Sequence, residues 1–418
     1  MSDHESISNQ TEWQTTALCD LFSVSSGEGL SQATMRPGKY PVYGGNGITG
    51  FHDIYLYQDK RLIIGRVGEY CGNVFLTRPY SWITDNALIA TFYDKSAHLP
   101  FFFYFLNHLR LNDFAFAAAQ PVITGGILKR LTSRIPPTAQ QRKIARILTT
   151  VDNLIEKTKA LIAKYQAIKQ GMMHDLFTRG VDEHGHLRPP YEQAPQLYKQ
   201  SELGWIPKEW EVCRVDEVGS VKLGRQRSPK HQSGRFTTPY LRVANVFDGF
   251  IDYSDVLEMD FTPREKETYS LLPGDILLNE GQSLELVGRS AIYEGEPNRF
   301  CFQNTLIRFR AYTPHDARFC RGIFKYYIDI GRFMTIARQT TSVAHLGADR
   351  LAKLVFPCPN PDEQRRIADA LLQHEKQCDI DRAYMNNLLQ NKTGLMQDLL
   401  TGKVRVKVDE AEEVAAHA

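Results

Sequence analysis

At 418 residues with 42% hydrophobic content, the chain can bury substantial cores and is expected to form two or more domains. A formal charge of +2 excludes any argument for nucleic acid from wholesale basicity, so such a case must rest on local patches. Seven cysteines without paired metal-ligand spacing, and a polar, acidic start from Met1 to Gln10 in place of a signal sequence, point to reduced thiols in a cytoplasmic protein; the most apolar run, Leu99 to Leu106, is too short to span a bilayer.

Residues 1–134 open with Glu12-Trp13 and continue as short strand-like runs divided by glycines, at Tyr40–Tyr43, Arg61–Gly65, Asn73–Thr77 and Ala87–Thr91. The apolar aromatic run Pro100–Leu111 reads as a helix, so a compact α+β domain is expected. Gly45-Asn46-Gly47-Ile48-Thr49-Gly50 matches the dinucleotide pattern G-x-G-x-x-G, but Phe51 to Tyr57 beyond it is aromatic and β-branched, with no helical period. No helix N-terminus would receive a pyrophosphate there, and the stretch reads as a glycine-hinged loop. Around it Lys39, Tyr40, Tyr43, Asn46 and Arg66 combine basic, amide and aromatic groups suited to a DNA backbone and base edges, although the two tyrosines could equally be core.

Residues 135–180 read as a long helix with one apolar seam. Thr138 with Gln141 three residues on is an N-cap arrangement. Ile144, Leu148, Val151, Ile155, Thr158, Ile162 and Tyr165 then alternate in spacings of four and three, the heptad rhythm of a coiled coil. Residues 181–208, rich in His, Pro, Gln and Tyr and carrying Pro189-Pro190, read as a linker. A second domain, 209–355, opens at Trp210 with strand-like runs at Pro239–Val246, Asp275–Leu278 and Thr305–Phe309 and a late helix over Arg321–Arg338. Its Gln303-Asn304-Thr305-Leu306-Ile307 answers Asp85-Asn86-Ala87-Leu88-Ile89 of the first. From Val218 to Phe247 there is no acidic residue, while Lys222, Arg225, Arg227, Lys230, Arg235 and Arg242 occur with Gly224 and Gly234, a basic loop suited to phosphate and guanine contacts.

Residues 356–403 repeat the long helix: 136–180 recurs without a gap as 359–403, 223 positions later. Pro136, Gln141, Arg142, Ile144, Ala145, Leu148, Lys169 and Gly171 recur as Pro359, Gln364, Arg365, Ile367, Ala368, Leu371, Lys392 and Gly394. The second seam, Ile367, Leu371, His374, Cys378, Asp381, Met385, Leu388, Leu395 and Leu399, keeps the register with His374 and Asp381 as polar interruptions; Asn360 with Pro361 and Glu363 marks its start. At 1.5 Å per residue each helix runs roughly 60 Å. So long and narrowly apolar a helix needs a mate, either the other copy or the domain beside it. Residues 404–418 end in an acidic, Ala-rich run expected to fray.

No catalytic constellation is visible: there is no Walker A motif, no HExxH and no nucleophile elbow. His184 and His186 sit in a polar stretch without nearby cysteines, and Asp275 and Glu280 lack the lysine a metal-dependent nuclease would want. Metal ligands are expected to be absent.

With the duplicated Gln141-Arg142-Lys143-Ile144-Ala145 and Gln364-Arg365-Arg366-Ile367-Ala368 openings, the closings Gly171-Met172-Met173-His174-Asp175-Leu176 and Gly394-Leu395-Met396-Gln397-Asp398-Leu399, and Leu203-Gly204-Trp205-Ile206-Pro207, the layout resembles the specificity (S) subunit of type I restriction–modification systems, the HsdS family. Tyr40 to Gly47 and Ile63 to Gly68 are similar to one subclass of its target-recognition domains. The resemblance implies an α+β protein with a pseudo-twofold internal repeat: two similar target-recognition domains separated by two long helices that form an antiparallel coiled coil. It implies binding of double-stranded DNA, one half-site of a bipartite target per domain. Two modification subunits would grip the helices, with Gln141, Arg142, Ile144, Gln364, Arg365 and Ile367 as the contact set, and restriction subunits would join them. S-adenosylmethionine, ATP and magnesium would sit on those partners, leaving this chain non-catalytic and without cofactor. A coiled-coil scaffold that never touches DNA, a DNA-cutting enzyme, and the specificity subunit of a related fused restriction–methylation system are the alternatives.

Overall fold

The computed structural model describes residues 12–115, 121–227, 234–339 and 343–408. Met1–Gln10, Lys230 and the acidic run Asp409–Ala418 lie outside them. The chain forms two compact units, Met1–Ala160 with Arg382–Ala418, and Leu161–Asp381. Its longer helices are α1 (Leu99–His108), α2 (Thr138–Thr178), α3 (Ala317–Asp329) and α4 (Pro361–Leu399), and both division points fall inside α2 and α4.

The heptad reading of α2 and α4 holds. Ile144, Leu148, Ile155, Thr158 and Ile162 are buried along α2, and Ile367, Leu371, Cys378, Leu388 and Leu399 along α4. Thr158 survives in the seam because its hydroxyl donates to the Leu154 carbonyl at 2.8 Å. His374 stands edge-on to Tyr165 with ring centroids 5.8 Å apart, so this polar interruption is packed. The Asn360 side chain accepts the N–H of Glu363 at 2.9 Å, the expected cap of α4.

Each helix also packs on a domain, so the two candidate mates are both used. In the first unit Ile144, Ala145 and Leu148 of α2 and Leu399 of α4 join one core with the first domain. In the second, Met173, Leu176 and Phe177 of α2 and Ile367, Ala368 and Leu371 of α4 join the other. Between the helices Asp152 meets Lys392 at 2.7 Å in the first unit, and Glu375 meets Lys169 at 2.6 Å in the second. The early part of each helix thus meets the late part of the other, an antiparallel pairing. The offset of 223 carries Asp152 onto Glu375 and Lys169 onto Lys392, so the repeat makes one ion pair twice. Each carboxylate takes a further donor from its own domain helix, the Tyr104 hydroxyl on Asp152 at 2.7 Å and Arg321 on Glu375 at 3.2 Å.

The first domain is layered. Strands β1 (Gln14–Ala17) and β9 (Thr132–Ile135) pair antiparallel where the chain enters and leaves it. A four-stranded sheet runs β2 (Phe22–Ser26), β8 (Ala87–Phe92), β5 (Leu62–Gly65), β6 (Val74–Leu76). Because strand side chains alternate, Leu62, Ile64, Leu88 and Ala90 face α1 and α2, while Ile63 and Ile89 pack with Tyr43 and Ile83 of a second layer. That layer is the sheet β4 (Gly47–His52), β3 (Tyr40–Gly44), β7 (Trp82–Ile83), in which β3 and β7 run parallel.

The second domain repeats the plan. Strands β12 (Glu211–Arg214) and β23 (Val355–Cys358) close it. The central sheet is β13 (Gly219–Leu223), β20 (Leu306–Ala311), β16 (Ile276–Asn279), β18 (Ser290–Ile292). The outer sheet is β15 (Leu257–Asp260), β14 (Thr237–Leu241), β19 (Cys301–Phe302), again with its parallel pair. Ile276, Leu278, Ile307 and Phe309 face the helices, and Leu277 and Leu306 the outer layer. The repeated tryptophan gains a reason here. Trp13 lies 3.3 Å from where a Cβ on Gly402 would stand, and Trp210 lies 2.4 Å from that of Gly180, the left-handed glycines ending α4 and α2.

Two expectations change. Residues 181–208 are more than a linker: Tyr198–Ser201 and Gly204–Pro207 form a hairpin, and Arg188 clasps the fully buried Glu363 carboxylate at 2.5 and 3.1 Å while the Val181 N–H donates to it at 2.9 Å. The late helix of the second domain ends at Asp329, and Gly331, with positive φ, starts a separate turn Arg332–Ile336.

Candidate nucleic-acid interface

The glycine motif of the first domain is the turn of a hairpin. Gly44 pairs with Gly47, leaving Gly45 and Asn46 as a two-residue connection, and Gly47 takes φ +82. Asn46 is exposed at its tip. Lys39 is exposed with its ammonium 5.2 Å from the Tyr40 ring centre; Tyr40 stands edge-on to Tyr55 at 4.9 Å, and Tyr55 in turn to Tyr80 at 5.2 Å. Arg66 is half-buried after β5 and donates to the Ser26 hydroxyl at 3.3 Å. Tyr43 is core: its hydroxyl accepts the Arg78 N–H at 3.0 Å and its ring packs between the layers, so it cannot serve as a DNA contact while the layers remain joined.

In the second domain the acid-free stretch divides by geometry. Lys222 on β13, Arg227 and Arg235 are exposed, Arg235 lying 5.8 Å over the exposed Phe236 ring. Arg225 is buried instead. Its Nε donates to Glu265 at 2.8 Å, its Nη1 to the Asp260 carbonyl at 2.5 Å, and it covers the Phe261 ring at 5.0 Å. Burial pushes the Glu265 carboxyl up, but the Thr262 N–H and hydroxyl together with Arg225 outweigh it and hold the group below its ordinary value. Arg242 is likewise engaged, with Asp255 at 2.5 Å. Arg225 builds the domain, a correction to the expected contact set, whereas Arg242 is half-buried and its partner Asp255 is exposed at the surface.

The helix openings are corrected too. Gln141 and Gln364 are buried, each donating to the carbonyl five residues before it, Pro136 and Pro359, at 2.9 Å. Gln364 also accepts the Asp316 N–H at 3.0 Å. Ile144 and Ile367 are core. These identities hold helix to domain and offer a partner no surface. Arg142 is half-exposed, and Arg365 is exposed beside Asp362. What the motifs did not signal is exposed apolar surface off the seam: Leu154, Tyr384 and Leu389 in the first unit, Leu161, Ile168 and Ile380 in the second. In the first domain Ile48, Phe51, Ile54 and Leu56 are similarly exposed around β4, where strand alternation could have placed Ile48.

Among the described residues no group of His, Cys, Asp and Glu is arranged to hold a metal ion, and no helix is long and apolar enough to cross a membrane. The family model described as the type I restriction modification DNA specificity domain matches residues 10–166 and 207–390. The chain therefore belongs to that family, whose class is the non-catalytic DNA-recognising subunit of a type I restriction–modification system. It is 28% identical to the type I restriction enzyme MjaVIII specificity subunit of Methanocaldococcus jannaschii over 303 residues, 69% of this chain and 65% of that one. It is 19% identical to the EcoDI specificity subunit of Escherichia coli over 94% of this chain and 88% of that one. Among solved structures it is similar to the S subunit of a type I restriction–modification system from M. genitalium, with TM-score 0.60 at 19% identity over 94% and 96% of the two chains.

Proposed function

We propose that each domain reads one half of a bipartite duplex target through its outer layer, and that partner subunits supply methyl transfer and cutting. The observation carrying this is the outer sheet, built on the same strand plan in both domains yet presenting different chemistry. The first offers Lys39, Asn46 and a tyrosine cluster, with Arg66 following β5 of the central sheet, and the second Arg235 ahead of β14, with Lys222 on the edge strand β13 of the central sheet and Arg227 following it. A fixed scaffold with altered exposed groups is the arrangement in which base discrimination can change while the fold does not. Two modification subunits dock on α2 and α4, for which the exposed apolar residues off the seam give a surface that the buried Gln141, Ile144, Gln364 and Ile367 cannot. Restriction subunits complete the assembly, with S-adenosylmethionine, ATP and magnesium on the partners and the whole in the cytoplasm.

The test is an exchange of residues 12–134 for another recognition domain, with the chimera bound to its modification partner. One half of the methylated target should change and the other persist. Alteration of both halves, or of neither, would refute the modular reading.

A further inference from the structure

We propose that one structural position, the residue following β5 in the first domain and β16 in the second, decides a single base pair in each half-site. Arg66 selects guanine in the half read by the first domain, and Glu280 selects cytosine in the half read by the second. The inference rests on reading each domain as the reader of one half-site and names the side chains that discriminate.

The backbone makes Arg66 and Glu280 equivalent. The Arg66 N–H donates to the Asn86 carbonyl at 3.0 Å and the Glu280 N–H to the Thr305 carbonyl at 2.9 Å, in each case the residue just ahead of β8 or β20. Their own carbonyls accept the N–H of Ile123 at 2.9 Å and of Leu346 at 2.8 Å, residues 223 positions apart like the two long helices. The connection of the outer sheet sits against both. In the first domain the Gly45 carbonyl, next to the exposed Asn46, fills the space a Cβ on Gly65 would need. In the second, Asn279 Nδ2 donates to the Val246 carbonyl at 3.3 Å, within the longer connection 242–256. Both positions therefore lie beside the outer-sheet connections, the part of the reading layer that carries Asn46 into solvent in the first domain.

The shared scaffold bears opposite chemistry. A guanidinium only donates and is matched by guanine O6 and N7; an ionised carboxylate only accepts and is matched by the N4 amino group of cytosine. Arg66 is half-buried and steadied by the Ser26 hydroxyl at 3.3 Å. The Glu280 side chain is 15% exposed, with Oε2 held 2.9 Å from His345 Nδ1. The repeat puts Val122, which has no polar side chain, where the second domain has His345, so the steadying ring accompanies the carboxylate only. A carboxylate in the groove is repelled by the guanine acceptors and relieved by a cytosine amino group, which makes the wrong base costly. Asp275, the other carboxylate near this strand, is turned to Arg310 at 2.6 and 2.7 Å and is buried, a pair that builds the domain.

The test exposes the full chain, bound to its modification partner, to a pool of randomised duplexes and sequences those retained. Glu280→Arg should exchange cytosine for guanine at one position of one half, and Arg66→Glu guanine for cytosine at one position of the other, with every remaining position kept. Thermal melts check folding. Should either reversal unfold its domain or abolish binding, Arg66→Gln and Glu280→Gln serve, and each should relax one position, in opposite halves, roughly tenfold. Variants that retain the wild-type sequence unchanged overturn the assignment while the half-site reading stands. Changes scattered over several positions, or both variants acting in one half, overturn it as well. A wild-type complex that retains no bipartite sequence fails the half-site reading and the assignment with it.

Discussion

Replacing Lys222, Arg227 and Arg235 together by alanine separates exposed cations from built-in ones. All three are exposed and none shares the buried engagement of Arg225. Each phosphate that is no longer neutralised lowers the slope of log affinity against log salt by about 0.9, so three of them lower it by about 2.7. Between about 50 and 200 mM salt, wild-type affinity should then fall roughly fortyfold more steeply than that of the variant. Arg225→Ala is the control. It removes hydrogen bonds to Glu265 and the Asp260 carbonyl and the stacking on Phe261. That costs about 2–3 kcal/mol of stability, a Tm loss of roughly 5–10 °C, with the salt slope of the folded protein unchanged. Fluorescence anisotropy against a duplex over a salt series, with thermal melts of each variant, reads both quantities. An unchanged slope in the triple variant, or a slope reduced by about 0.9 in an Arg225→Ala protein that melts normally, would refute the division.

Glu363→Ala should cost about 3–5 kcal/mol, because Arg188 loses its buried partner, and should expose residues 181–208 to limited proteolysis. Lys392→Asp should destabilise the first unit and Asp152→Lys in the same chain should recover it, with a coupling of about 0.5–1 kcal/mol in a double-mutant cycle; simple additivity would mean the ion pair does not couple the helices. Burial, aided at His98 by Arg142 and opposed at His315 by Gln364, holds the imidazoles of His98, His108 and His315 below the ordinary value. The unfolded chain therefore binds protons that the folded chain refuses. Their contribution is complete above about pH 6.5 and is lost as pH falls from there toward the folded values, so Tm should drop between about pH 7.5 and 5.5, and less steeply in His315→Gln.

Much of the scaffold was legible in the chain. The strand runs at Tyr40, Arg61, Asn73 and Ala87 and the helix at Pro100 coincide closely with observed elements, since strand alternation and turn glycines are local signals. The glycine motif is a turn because no helix follows it, which the aromatic and β-branched run beyond Gly50 already signals. The contact residues were less legible. Arg225 looks like its neighbours in a basic run, and only Glu265 and Asp260, some forty positions on, take it out of solvent. Tyr43 is claimed by the Arg78 backbone.

By itself the sequence determined the repeat, the helical register and the apolar seam, because each is a matter of spacing along one chain. Even the double ion pair was implicit in the offset that carries Asp152 onto Glu375 and Lys169 onto Lys392. The antiparallel sense of the helix pair was expected from the resemblance rather than from spacing, and the two ion pairs carry it; tertiary structure alone decided that Gln141 and Gln364 bind their own proline carbonyls rather than a partner, and which cations of the second domain reach solvent. Those outcomes depend on groups distant in sequence or on the side of an element that faces a core, and burial is a property of the assembled layers rather than of any residue's neighbours in the chain.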